Sequence, residues 1–91
     1  MESLPTRFTH RNVLYTQLKR YNNLAIYEQH IGKAHRYEVV LIQYRPTYTF
    51  PNGITVEAHE AYPSSSQWGT YGFTYYSLGE AELKFNEMIG G

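Results

Sequence analysis

The stretch from Ile54 to Ile89 leaves this chain few folds to choose from. Ile54 to Ala61 alternates apolar and polar residues, Pro63-Ser64-Ser65-Ser66 breaks the chain, and Trp68-Gly69-Thr70-Tyr71-Gly72-Phe73 follows. Period-two alternation marks a half-buried antiparallel strand, whereas recurrence at three and four residues marks an amphipathic helix. The second pattern holds for Leu78, Ala81, Phe85, Met88 and Ile89. Ser77-Leu78-Gly79-Glu80 fits the capping box that opens a helix, and Glu80 with Lys84 adds an i,i+4 pair. The order is therefore strand, aromatic loop, strand (Gly69 to Tyr76) and helix (Ser77 to Ile89), closed by Gly90-Gly91.

Upstream, Leu24 to His30 and Arg36 to Tyr44 read as two strands around a Gly32-containing turn, and the run Val39-Val40-Leu41-Ile42 suggests a strand covered on both sides. Thr47 to Phe50 reads as a short strand leading into Pro51-Asn52-Gly53, a turn that tolerates positive φ. From Thr9 the spacing of Val13, Leu14, Leu18 and Tyr21 predicts an N-terminal helix, capped by Thr9 and stopped by Asn22-Asn23. Residues 1–8 read as a loose leader, because Pro5 forbids an early helix and nothing there is periodic.

The expected architecture is α+β: one domain over residues 9–91, with an antiparallel sheet of four or five strands, the C-terminal helix packed across one face, and the N-terminal helix either flanking the sheet or contributing to a partner contact. A β-barrel is the alternative. Leu24, Ile26, Val39, Leu41, Ile54, Val56, Phe73, Leu78, Ala81, Phe85 and Met88 are the expected core.

Ninety-one residues support one modest core, burying roughly 60–68% of the extended surface. The absence of cysteine removes disulfides and thiolate metal sites. No apolar run approaches the ~20 residues of a membrane span, and no secretory signal is recognisable, so the expectation is an intracellular, cytoplasmic protein without membrane contact. Residues 1–45 hold seven Lys/Arg against three Glu, and residues 46–91 one Lys against five Glu. Such asymmetry marks either a polar partner or two ends that meet and neutralise each other.

Chemistry-bearing constellations are sparse. His10, His30, His35 and His59 lack the spacing of a zinc motif, and Ser64-Ser65-Ser66 is not a nucleophile elbow. Hence no catalytic residue, cofactor or metal is expected. The positive signal is aromatic: ten tyrosines exceed what a small core can bury with satisfied hydroxyls. Tyrosine set among Ser, Gly and Asn is the composition of adaptable recognition surfaces. Tyr62, Gln67, Trp68 and Tyr71, around the loop, are the candidate partner-binding residues. Trp68 is there either a lid folded over the sheet or an anchor held out for a partner.

Trp68-Gly69-Thr70-Tyr71-Gly72, together with Ala81-x-x-x-Phe85 and the strand Tyr37-Glu38-Val39-Val40-Leu41, resembles the WGR domain over residues 37–89. Thr70 stands where that family has arginine. The resemblance implies nucleic-acid binding or regulation of a nucleic-acid enzyme. The whole chain also resembles short open reading frames of phages and mobile elements, which implies an inhibitor or accessory protein acting inside a host cell. The leading expectation is a non-enzymatic domain that binds another protein. The rival is a nucleic-acid module using Arg7, Arg11, Lys19, Arg20, Lys33, Arg36 and Arg45 with stacking tyrosines.

Overall fold

The computed structural model describes residues 2–90. Nine strands and one helix follow in order: β1 (Arg7–His10), β2 (Val13–Tyr21), β3 (Leu24–Ile31), β4 (Ala34–Leu41), β5 (Gln43–Arg45), β6 (Tyr48–Thr49), β7 (Thr55–Val56), β8 (His59–Ala61), β9 (Gly72–Tyr75) and α1 (Leu78–Gly90). Five of the strands form an open antiparallel sheet in the order β1-β2-β3-β4-β9, so the barrel alternative does not apply.

The predicted N-terminal helix is absent, and its residues form the β1–β2 hairpin instead. Arg11 and Asn12 take φ of 51° and 65°, the pair of positive values that a two-residue hairpin turn needs. The helical spacing was a coincidence produced by a β-bulge. Gln17 pairs with Tyr27 but Lys19 pairs with Ile26, so Leu18 is an extra residue that shifts the alternation by one. A period-two pattern interrupted this way passes for a period near 3.6. Residues 2–8, part of the stretch read as a leader, are tied to the body: Glu2 N–H donates to Ala58 O, Leu4 N–H to the Glu60 carboxylate, and Pro5 O accepts from the Tyr27 hydroxyl.

Alternation along β3 and β4 places two separate cores on the two faces of the sheet. On the first face Leu24, Ile26 and Val39 meet Ala81 and Phe85 of α1, with Tyr37, Leu41, Tyr75 and Met88 around them. Each fully buried side chain of this size stabilises the fold by roughly 1.5–3 kcal/mol. The helix begins as predicted: Ser77 Oγ accepts from Glu80 N–H at 3.2 Å. Glu80 turns its carboxylate to the Ser77 hydroxyl, and Lys84 pairs with Glu87 and lies over the Phe73 ring rather than reaching Glu80. Leu78 and Ile89, assigned to the stripe, lie at the margin of the contact and are exposed.

The second face carries Ala25, Tyr27, Val40 and Ile42, packed against Leu4, Phe8, Tyr15, Tyr62 and Trp68. Between β4 and β9 the chain leaves the sheet as an arm. Gln43–Arg45 pairs with His59–Ala61, and farther out Tyr48–Thr49 pairs with Thr55–Val56. Ile54–Ala61, expected as one strand, is thus two short ones. Every residue from 44 to 57 is exposed, so Ile54 and Val56, expected in the core, stand in solvent with Tyr44, Tyr48 and Phe50.

The opposite charges of the two halves meet within the fold. Arg20 forms a two-pronged pair with Glu60, at 2.9 and 2.7 Å, and Lys19 approaches Glu82 at 3.4 Å.

Candidate binding site

The aromatic loop closes over the second face of the sheet. Strand pairing sets Glu38 of β4 opposite Tyr27 of β3 on one side and Thr74 of β9 on the other, so all three point to this face. Phe8 and Tyr15 are partners across β1–β2, and their rings stack at 4.7 Å. Tyr62 enters from the end of the arm and meets Phe8, Tyr15 and Tyr27 edge-on at 5.3–5.7 Å, while Trp68 lies nearly parallel to Tyr62 at 6.3 Å. The walls they form enclose an open cavity of about 540 Å³, with Glu38 among its lining residues and His10, Arg11, Ser64 and Ser65 completing it.

Glu38 is the unusual member. It is only 7% exposed, and its partners are hydroxyls: Tyr62 donates to Oε1 at 2.5 Å and Thr74 to Oε2 at 3.4 Å. Trp68 completes the chain, its indole N–H donating to Thr74 Oγ1 at 2.9 Å. Among the described residues no cation forms an ion pair with this carboxylate. Burial pushes the Glu38 carboxyl above the usual carboxylate range, and the Tyr62 and Thr74 hydroxyls offset part of that shift. Tyr62 responds in kind: its own burial and then the neighbouring carboxylate drive its phenol well above the ordinary tyrosine value. A second polar group on this face is also under-satisfied. Gln29 donates to the Tyr15 hydroxyl at 2.8 Å, but its buried Oε1 has no hydrogen-bond partner among the described residues.

Arg11 adds a backbone signal. A φ of 51° is unfavourable for a side chain of this size, and glycine or asparagine would suit the turn better. Strain of this kind collects at functional sites.

The four residues singled out from sequence separate into three roles. Tyr62 and Trp68 come together in the cavity wall, both half-buried, and Trp68 takes the lid position rather than the anchor position. The lid depends on Gly72: a Cβ there would lie 2.4 Å from the Trp68 ring. Gln67 shapes the loop by accepting from Ser64 N–H at 3.0 Å, and Tyr71 is exposed beside the edge of the sheet, where its carbonyl accepts from Leu41 N–H. Sequence reasoning missed Phe8, Tyr15 and Glu38. Phe8 fell in the stretch read as a loose leader, and Tyr15 in the stretch read as a helix. Glu38, a single acidic residue before an apolar run, gave no signal beyond its inward register in β4.

The basic residues proposed as a nucleic-acid face do not gather on one surface. Lys19 lies over the Phe85 ring on the helix side, Arg20 pairs with Glu60 on the other side, Arg11 and Lys33 occupy different turns, and Arg7, Arg36 and Arg45 sit on β1, β4 and β5. The His30 and His35 rings lie 4.4 Å apart, tilted by 30°, and Glu28 reaches His35 Nδ1 at 3.3 Å. No group of three potential metal ligands converges among the described residues, and no helix among them is long and apolar enough to cross a membrane. No protein-family model, curated protein or solved structure matches this chain.

Proposed function

We propose that this chain is a small non-enzymatic domain that docks on another protein through the sheet face opposite the helix, occluding its partner's surface as an inhibitor or accessory protein does. The observation that carries this reading is the open, aromatic-walled cavity around Glu38. It unites rigid rings, hydroxyl tips and a buried charge, the ingredients of an interface centre. The exposed apolar residues of the arm, Tyr44, Tyr48, Phe50 and Ile54, favour a macromolecular partner over a small molecule.

A pair of photo-crosslinking positions tests the reading in the cells that carry the protein. One crosslinker replaces Ser65, which lines the cavity; the other replaces Leu83, which is 72% exposed on the helix. A protein adduct formed from position 65 and not from position 83 is the expected result. Adducts from position 83 alone would move the working surface to the helix, and adducts to nucleic acid would favour the rival class.

A further inference from the structure

The cavity holds a buried carboxylate that forms no ion pair among the described residues; Arg36, two residues back on β4, acts on it only through its field. Buried charges in folded proteins are normally paired, because a desolvated carboxylate is otherwise costly. Among the described residues two hydroxyls supply the hydrogen bonds to the Glu38 carboxylate, one per oxygen, so each oxygen keeps acceptor capacity. The carboxylate is not sealed in an apolar core; it lines a cavity open to solvent and large enough for a side chain. Phe8, Tyr15, Tyr62 and Trp68 add ring surfaces, whose faces attract cations. Carboxylate and aromatic faces in one concavity have one complementary ligand class.

From this geometry we propose that the cavity receives the cationic head of a lysine or arginine side chain presented by the partner protein, with Glu38 as its counter-ion. The inference rests on the protein-docking reading above and specifies what the partner must offer. Glu38 supplies the charge, and Tyr62 and Thr74 hold its two oxygens in place. Trp68, tethered to Thr74, forms part of the wall. Arg11 works in the opposite sense. It lines the same cavity, makes no ion pair among the described residues, and repels an incoming cation. Of the charges lining the site, Glu38 favours the ligand and Arg11 opposes it, and Arg36, which acts on Glu38 from outside the lining, opposes it as well.

The test uses the whole chain and four small probes: Nα-acetyl-lysine methylamide, its arginine counterpart, and the neutral analogues with ε-acetyl-lysine and citrulline. Chemical-shift titration by NMR reads both affinity and location. At least one cationic probe is expected to bind with shifts centred on Glu38, Tyr62 and Trp68, and its neutral analogue to bind about tenfold more weakly or worse. Glu38→Gln should abolish the preference for charge, whereas Arg11→Asn, which suits the turn, should tighten binding of the cation. Equal binding of charged and neutral probes, no binding of either cation, or weaker cation binding by Arg11→Asn would each overturn the proposal. The wild-type comparison of charged with neutral probes decides the matter even if a variant fails to fold. Position 65 crosslinking that persists while the cationic probes do not bind would sink this inference and leave the protein-docking reading standing.

Discussion

The two faces of the sheet bury residues of different kinds. Toward α1 the buried contact is wholly apolar: Leu24, Ile26 and Val39 meet Ala81 and Phe85, with Tyr37, Leu41, Tyr75 and Met88 partly buried around them. Toward the loop it is made by Phe8, Tyr15, Tyr27, Tyr62 and Trp68, and it encloses Glu38 and Gln29. The first face needs only shape and apolar area. Glu38 on the second is held by hydroxyls contributed from other strands and the loop, and part of its acceptor capacity remains open. Stability accounts for the first arrangement without remainder. It does not account for an unpaired carboxylate, an orphaned amide oxygen and a left-handed arginine on one side of a small domain.

The contrast predicts different responses to substitution. The largest effect belongs to the helix face: Phe85→Ala should cost about 3–5 kcal/mol, read by chemical denaturation, and leave little of the fold at physiological temperature. A melting curve close to wild type would show that α1 does not dock through this residue. Next comes Gly72→Ala, which forces the Trp68 ring from its place. The expected cost is about 1–3 kcal/mol, with the helix face intact by hydrogen exchange.

Glu38→Gln should behave in the opposite way. A carboxyl whose folded pKa is raised weakens the fold as pH climbs from the ordinary carboxylate value, where the unfolded chain ionises, up through the raised folded value, and the penalty is complete above it. Removing the charge should leave stability at pH 7 unchanged or raise it by on the order of 1 kcal/mol. A large loss would show that the carboxylate is structural and would erase the distinction between the faces. The smallest effect concerns Glu60. Its pairing with Arg20, aided by Leu4 N–H, holds its carboxyl down at about 2, against an ordinary value of 4.5. That contribution is present above about 4.5 and is lost as pH falls toward 2. For a pair reached by solvent it is about 0–1 kcal/mol. Glu60→Gln should flatten this part of the acid profile, and a difference seen mainly at neutral pH would contradict the assignment.

Legibility from sequence followed the same division. The helix face was readable because its signals are local: Ser77 caps, Ala81 and Phe85 recur at helical spacing, and β3 and β4 run apolar around a glycine turn. The other face assembles from Phe8, Tyr15, Glu38, Tyr62 and Trp68, which are remote in the chain and meet only through strand register. One bulge at Leu18 disguised the hairpin that carries two of them. The arm misled for a related reason. Ile54 and Val56 alternate like core residues, but their short hairpin is not paired to the main sheet, so nothing covers them. Tyr62 and Trp68 were found because tyrosine and tryptophan on a serine-rich loop are conspicuous; the carboxylate that organises them was not.

Trp68 is the only tryptophan of the chain, and it belongs to just one of the two faces. Emission excited at the red edge, where the ten tyrosines no longer absorb, is therefore a local record. With the ring packed on Gly72 and its N–H bonded to Thr74, the half-buried indole is partly shielded from bulk water, and its spectrum should lie to the blue of a free tryptophan. Opening of the loop shifts it to the red, and a cation brought against the ring quenches it. Heated slowly, the molecule offers two clocks: the indole for the loop side, and far-ultraviolet dichroism, dominated by α1, for the helix side. If the faces melt as one unit the clocks agree, and any interval between them measures how independently the loop side opens.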